Sequence, residues 1–140
     1  MTCARILTYL LVAAGACTTA YGADLKIIAN SGVAASTISA EELKGIFLAT
    51  RTSLSDGSRV EPVLEKTGDT HRAFLKAYMG RTESALETYY RSLVFTGKGL
   101  MPKSFASDAE VVAYVAKTKG AIGYVSAGAS TGGVKTLEVQ

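Results

Sequence analysis

Short apolar runs alternate with capped amphipathic segments along most of this chain, and that alternation restricts the folds open to it. Capping boxes begin at Ser39 and at Ser107, each with a glutamate three residues later, which is a signature of a helix start. Apolar runs bounded by turn-forming residues are typical of strands. We therefore predict an α/β domain, a mixed β-sheet flanked by helices.

The periodicity gives each element an approximate place. We predict strands over residues 25–29, 60–63, 121–125 and 134–139, and helices over about 40–49, 70–79, 82–95 and 108–119. Pro62 has no backbone N–H, so its strand is expected at the edge of the sheet. The third helix is expected to bury a stripe formed by Leu86, Tyr90, Leu93 and Val94.

The first 22 residues have the layout of a secretory signal. Arg5 precedes an apolar run over residues 6–16, and the small residues Ala20 and Gly22 precede a predicted cleavage site. The run is 11 residues long, whereas a helix needs about 20 to span a bilayer. The sequence therefore predicts export and a mature chain of residues 23–140 that forms one domain.

Both cysteines, Cys3 and Cys17, fall inside the predicted signal. The mature chain is therefore expected to have neither a disulfide nor a thiolate metal site. Small residues at 14–16 precede Cys17, as they do a lipidated cysteine, but the leucine expected three residues before it is missing. We prefer an ordinary signal-sequence residue over a lipoprotein anchor.

Charge and residue types exclude several classes of function. Removal of Arg5 leaves 14 basic and 12 acidic residues, a formal charge of +2 that does not indicate a nucleic-acid partner. His71 is the single histidine, and a zinc site needs four protein ligands or three and a water. We expect His71 to be exposed on a helix. Because no nucleophile motif is present either, we predict neither an enzyme nor a cofactor.

The loop over residues 67–70 is polar, contains a glycine and enters a predicted helix. The N–H groups at such a helix start have no partner within the helix, and the helix dipole favours an anion there. The alternative is that Asp69 or Thr70 simply caps its own helix. Composition alone favours the cap.

Four segments follow one another along the chain: ISAEELKGIFL at 38–48, SRVEPV at 58–63, TGDTHRAF at 67–74 and GAIGYV at 120–125. Together they resemble one lobe of the phosphate-binding PstS-like proteins of bacterial ABC transporters. The resemblance implies a single lobe of a type II periplasmic binding protein, located in the periplasm. Because that family closes two lobes around its ligand, we expect a single lobe to bind more weakly unless a partner or a second copy of the domain completes the site.

The resemblance also implies a ligand and its contacts. The family's matching loop reads Gly-Ser-Gly-Thr and holds the oxyanion by hydroxyls and amides. The implied ligand-binding residues here are Thr67, Gly68, Asp69, Thr70, Arg72, Asn30, Ser31 and Gly32. Asp69 adds a negative charge, so we expect it to be the residue that most limits anion affinity.

Inorganic phosphate or a similar oxyanion is the expected ligand, and a transporter permease or an envelope sensor is the expected protein partner. The alternative function is an envelope protein-interaction module that has kept the fold without ligand binding. Neither interpretation involves a metal.

Overall fold

The computed structural model describes residues 25–140, which form six strands and four α-helices. The strands are β1 (Leu25–Asn30), β2 (Thr37–Ile38), β3 (Glu61–Glu65), β4 (Lys103–Phe105), β5 (Ala121–Ser126) and β6 (Val134–Val139). The helices are α1 (Ala40–Phe47), α2 (Asp69–Phe74), α3 (Glu83–Phe95) and α4 (Asp108–Lys117), and a π-helical turn, Leu75–Met79, extends α2. The α/β class is confirmed. The predicted signal over 1–22 and both cysteines lie outside the described residues.

The strands form one mixed sheet in the order β2-β6-β1-β5-β3-β4. Strand β3 runs parallel to both β5 and β4, whereas β1 runs antiparallel to β5. Strands β3, β4 and β5 therefore end at the same end of the sheet, which we call the carboxyl end. Strand β1 ends at the opposite end, the amino end, where Ala29 pairs with Ile122 near the start of β5.

Helices cover both faces of this sheet. Helices α1, α2 and α3 pack on one face, in a core that includes Ile27, Phe47, Phe74, Leu86 and Tyr124. Helix α4 covers the other face, where its Val111 and Val115 pack on Ile28, Val63 and Val125. The predicted mixed sheet flanked by helices is thus the observed arrangement.

Pro62 lies in an internal strand, so its predicted place in an edge strand was wrong. The N–H of Glu61 donates to the carbonyl of Gly120 beside β5, at 2.8 Å. Because successive residues of a strand point their N–H groups to opposite sides, the nitrogen of Pro62 faces β4. Pairing with β4 begins only at Val63. Pro62 therefore leaves no ladder hydrogen bond unmade.

The end of α3 departs from the predicted buried stripe. Leu86 and Tyr90 are buried, but Val94 is 50% exposed and Phe95 is 93% exposed. The middle of the helix contacts the end of α1, because the hydroxyl of Tyr90 donates a hydrogen bond to the carbonyl of Phe47. The last turn of α3 lies beyond that contact and leaves its apolar side chains in solvent.

Candidate functional site

The loop between β3 and α2 lies at the carboxyl end of the sheet. Its Gly68 is the N-cap of α2 and has φ 112° and ψ 177°, a conformation that favours glycine. No side chain caps the helix. The prediction that Asp69 or Thr70 is the cap was wrong, because Asp69 is already the first helical residue. The N–H groups of this first turn are left without a side-chain partner, which favours an anion.

Asp69 and Arg72 form an exposed pair at the start of α2. The guanidinium of Arg72 donates to Oδ1 of Asp69, and the Asp69 side chain is 98% exposed. A carboxylate this exposed is screened by water and salt, and here a cation also lies against it. The negative charge that Asp69 brings to the loop is therefore weakened by its surroundings.

A shallow cavity of about 420 Å³ adjoins this helix and is lined by three cations, Arg72, Lys76 and Arg81. Thr82 and Glu83 line it as well, and they belong to the start of α3. Arg81 stacks over the ring of Tyr89 with its guanidinium carbon 4.8 Å from the ring centroid. The three cations outnumber the single acidic residue in this lining, which favours anions in the cavity.

Helix α4 starts at the same end of the sheet. Its N-cap Ser107 accepts a hydrogen bond from the N–H of Glu110 at 3.3 Å, as the sequence predicts. The carboxylate of Asp108 accepts from the N–H of Ser126 at 3.2 Å and from the hydroxyl of the same residue. These bonds hold the first turn of α4 against the end of β5, so the N-termini of α2 and α4 lie at the same end of the sheet.

Glu65, the last residue of β3, is buried between these elements. It is 6% exposed, and its Oε1 has no hydrogen-bond partner among the described residues. Burial, followed by a hydrogen bond with the carboxyl group of Asp108, raises the pKa of Glu65 to about 8. The same hydrogen bond lowers the pKa of Asp108. Glu65 is thus protonated at neutral pH and Asp108 is ionised.

A hydrogen-bonded tyrosine lies under the loop. The hydroxyl of Tyr124 accepts from the N–H of Glu65 at 3.1 Å and hydrogen-bonds to Nδ1 of His71. Phe74 stacks on the Tyr124 ring with 3.9 Å between centroids. His71 is only 5% exposed, so its predicted exposed position was wrong. Burial lowers its pKa and keeps the imidazole neutral beneath the loop.

The loop Asn30–Ser31–Gly32 lies at the amino end of the sheet. The side-chain amide of Asn30 donates to the carbonyls of Val115 at 2.8 Å and Ala116 at 3.2 Å. Its Oδ1 accepts from the N–H of Gly32 at 2.9 Å. The strand directions therefore separate this loop from residues 67–70, and one lobe does not bring the two predicted groups into a single site.

Sequence reasoning missed three polar residues at the carboxyl end: Glu65, Asp108 and Ser126. Two of them carried a signal, because Glu65 and Ser126 are the polar residues that end the apolar runs of β3 and β5. Polar side chains at the carboxyl ends of parallel strands are where open α/β sheets bind ligands. Asp108 carries no comparable signal, because acidic residues are common in the first turn of a helix.

Residues 25–140 contain neither a candidate metal site nor a candidate membrane-spanning helix. No group of three or more His, Cys, Asp or Glu side chains in this range could hold a metal ion. Within the same range, no helix is long and apolar enough to cross a membrane.

Solved structures of phosphate transport proteins share this fold. A putative phosphate ABC transporter substrate-binding protein with bound phosphate, from Clostridium perfringens, matches with a TM-score of 0.65 and 16% identity, covering 83% of this chain and 44% of that one. An ABC-type phosphate transport receptor from Vibrio cholerae matches with a TM-score of 0.63 and 19% identity, covering 83% of this chain and 46% of that one. PstS from Borrelia burgdorferi matches with a TM-score of 0.64 and 14% identity, covering 84% of this chain and 47% of that one.

The chain has the fold of a PstS-like lobe. At these identities the likeness establishes the fold, and the chain spans less than half the length of each of these proteins. No protein-family model matches the sequence, and a comparison with curated proteins gave no significant match.

Proposed function

We propose that this domain binds a small oxyanion, most simply inorganic phosphate, at the carboxyl end of its sheet. It would act as a substrate-binding module in transport or sensing and not as a catalyst. The fold supports this proposal, because the solved structures that share it are described as phosphate transport proteins and one of them has bound phosphate.

The observation that carries the proposal is the uncapped start of α2 at Gly68. No side chain caps this first turn, and the hydroxyl-bearing residues Thr67 and Thr70 are next to Gly68 and Asp69 in the sequence. Arg72, Lys76 and Arg81 surround the neighbouring cavity. Amide donors at a helix start beside cations are the groups that recognise a phosphate or a sulfate.

The proposed site is open on one side. The chain is less than half as long as the phosphate transport proteins that share its fold, and ligand sites normally enclose most of their ligand. We therefore expect weak binding by the isolated domain and stronger binding when a partner or a second copy covers the loop. A transporter permease or an envelope sensor is the proposed partner.

Calorimetry with phosphate, sulfate and a neutral sugar tests the proposal. Gly68→Ala should weaken anion binding about tenfold or more, because alanine disfavours the positive φ that starts α2. Gly57→Ala is the matched control, since Gly57 also has a positive φ and open space around its Cα but lies in a turn away from α2. Binding of neither anion by the native protein would overturn the proposal.

One observation favours the alternative, an envelope protein-interaction module. Val94, Phe95, Leu100 and Met101 are exposed apolar side chains at the end of α3 and in the loop after it. Exposed apolar clusters often mark interaction surfaces. The alternative gains support if no anion binds while crosslinking to one envelope protein in cells depends on Phe95.

We also propose export, with cleavage between Gly22 and Ala23. The intact mass of the protein recovered from the cell envelope tests this directly. A chain that begins at Met1 or at a lipid-modified Cys17 would contradict it.

A further inference from the structure

We infer that Glu65 and Asp108 hold one proton between them and thereby set the charge of the proposed anion site. The site accepts an anion while the pair carries a single negative charge and rejects it when the pair carries two. This inference rests on the proposed function and adds to it a residue pair that decides when the anion binds.

The geometry of the two carboxyl groups supports a shared proton. Glu65 is 6% exposed and is the last residue of β3, two positions before the loop that starts with Thr67. Asp108 is fixed beside it by the N–H and hydroxyl of Ser126. Glu65 lies on the same face of β3 as Val63, the face that α4 covers, and Asp108 is the first residue of α4. Two ionised carboxylates held this close repel each other and can only accept hydrogen bonds, which favours one proton between them.

The groups around Glu65 offer no cation to balance a second charge. Helix α4 presents Asp108, and α2 and β5 present the neutral pair His71 and Tyr124. On the β4 side, Glu65 is in register with Phe105. Among the described residues that pack against Glu65, a second negative charge would therefore face only neutral or acidic groups. Such a charge repels an anion at the adjacent loop.

The expected pH dependence follows from the burial of Glu65. The pKa of Glu65 is raised to about 8, first by burial and then by the hydrogen bond with Asp108. The pair therefore carries one charge at pH 6.5 and two charges well above pH 8. Anion affinity should fall as the pH rises through this value.

Calorimetry with sulfate is the most direct test, because sulfate stays a dianion between pH 6.5 and pH 9 and phosphate does not. The native protein should lose about tenfold in sulfate affinity between these pH values. Glu65→Gln keeps a neutral hydrogen-bond donor and should change less than about twofold. Asp56→Asn is the matched control and should follow the native protein, because Asp56 is exposed in the turn before β3, where asparagine keeps the oxygen that accepts from the N–H of Ser58. Equal sulfate affinity at both pH values in the native protein would overturn the inference.

Carbon-13 NMR titration of the Glu65 carboxyl group gives a second measurement on the native protein, independent of any ligand. A midpoint near 8 is expected, and Asp108→Asn should lower it, because asparagine can donate to the carboxylate. A midpoint near the ordinary value of 4.5 would overturn the shared proton whatever binds. A midpoint near 8 in a protein that binds neither phosphate nor sulfate would instead overturn the proposed function, so the two failures are distinguishable.

Discussion

The two ends of the sheet contain similar residue types but use them differently. At the amino end, every hydrogen-bonding group of the Asn30 side chain already has a backbone partner. At the carboxyl end, α2 starts without a capping side chain and Oε1 of Glu65 has no partner among the described residues. A polar residue type is thus a poor guide to a ligand site. Hydrogen-bonding capacity that the fold has left unused is a better one.

Strand direction explains this difference. A helix that follows β3 or β4 starts where that strand ends, so the N-termini of α2 and α4 both lie at the carboxyl end. The amino end receives the end of α4, whose carbonyls take the amide of Asn30. Helix N-termini attract anions and helix C-termini repel them. The two ends therefore differ in their preference for charge before any particular side chain is considered.

The largest expected effect tests the core that supports both ends. Phe47 is fully buried and packs edge-on against Phe74, with 4.8 Å between ring centroids. Phe47→Ala should lower the free energy of unfolding by about 3 to 5 kcal/mol. The matched control is Phe95→Ala, which should change it by less than about 0.5 kcal/mol because Phe95 is 93% exposed. Equal midpoints in a denaturant titration would show that Phe47 is not in the core.

The next effect separates the two ends directly. Asn30→Ala leaves two carbonyls at the end of α4 without their donor and should lower the free energy of unfolding by about 1 to 3 kcal/mol. It should leave anion affinity unchanged. Thr67→Ala should weaken anion binding and leave the free energy of unfolding nearly unchanged, because Thr67 is exposed beside the proposed site. If Asn30→Ala weakened anion binding as much as Thr67→Ala, the two ends would not be functionally distinct.

Stability against pH gives a smaller effect that is confined to the carboxyl end. The folded-state pKa of Glu65, about 8, lies above its ordinary value of 4.5. Its protonated form is therefore favoured in the folded protein, and its contribution to stability is complete below pH 4.5 and is lost as the pH rises through 8. Denaturant titrations at pH 5, 7 and 9 should show this decline in the native protein and a flatter profile in Glu65→Gln. An identical decline in both proteins would assign it to other groups.

The sequence predicted the parts of this fold that depend on local periodicity. Helix α1 and strand β5 are recognisable because a capping box and a continuous apolar run encode them locally. Strands β2 and β4 were missed because each is short and is defined by its pairing partner, which local pattern does not reveal.

The candidate site could be predicted only in part for the same reason. The loop 67–70 was found by its composition and its resemblance to a known loop. The meeting of Glu65 with Asp108 depends on the order of strands in the sheet, and the separation of Asn30 from that loop depends on the antiparallel direction of β1. Neither is encoded by residues close in sequence.

The smallest expected effect concerns Asp69, which the sequence presents as the main obstacle to anion binding. Its side chain is 98% exposed and accepts a hydrogen bond from Arg72. An exposed charge is screened within about 8 Å at physiological salt, and an adjacent cation offsets it further. Asp69→Ser should therefore raise phosphate affinity by less than about twofold.

Calorimetry at pH 6 and pH 8 gives the phosphate affinity of Asp69→Ser relative to that of the native protein. Because both proteins keep Glu65, this ratio reports the effect of the Asp69 charge alone. The ratio should be slightly larger at pH 8, where phosphate is mostly a dianion. A rise of tenfold or more would show that the exposed carboxylate limits the site. Glu65 and Asp108 would then not be the residues that control anion binding.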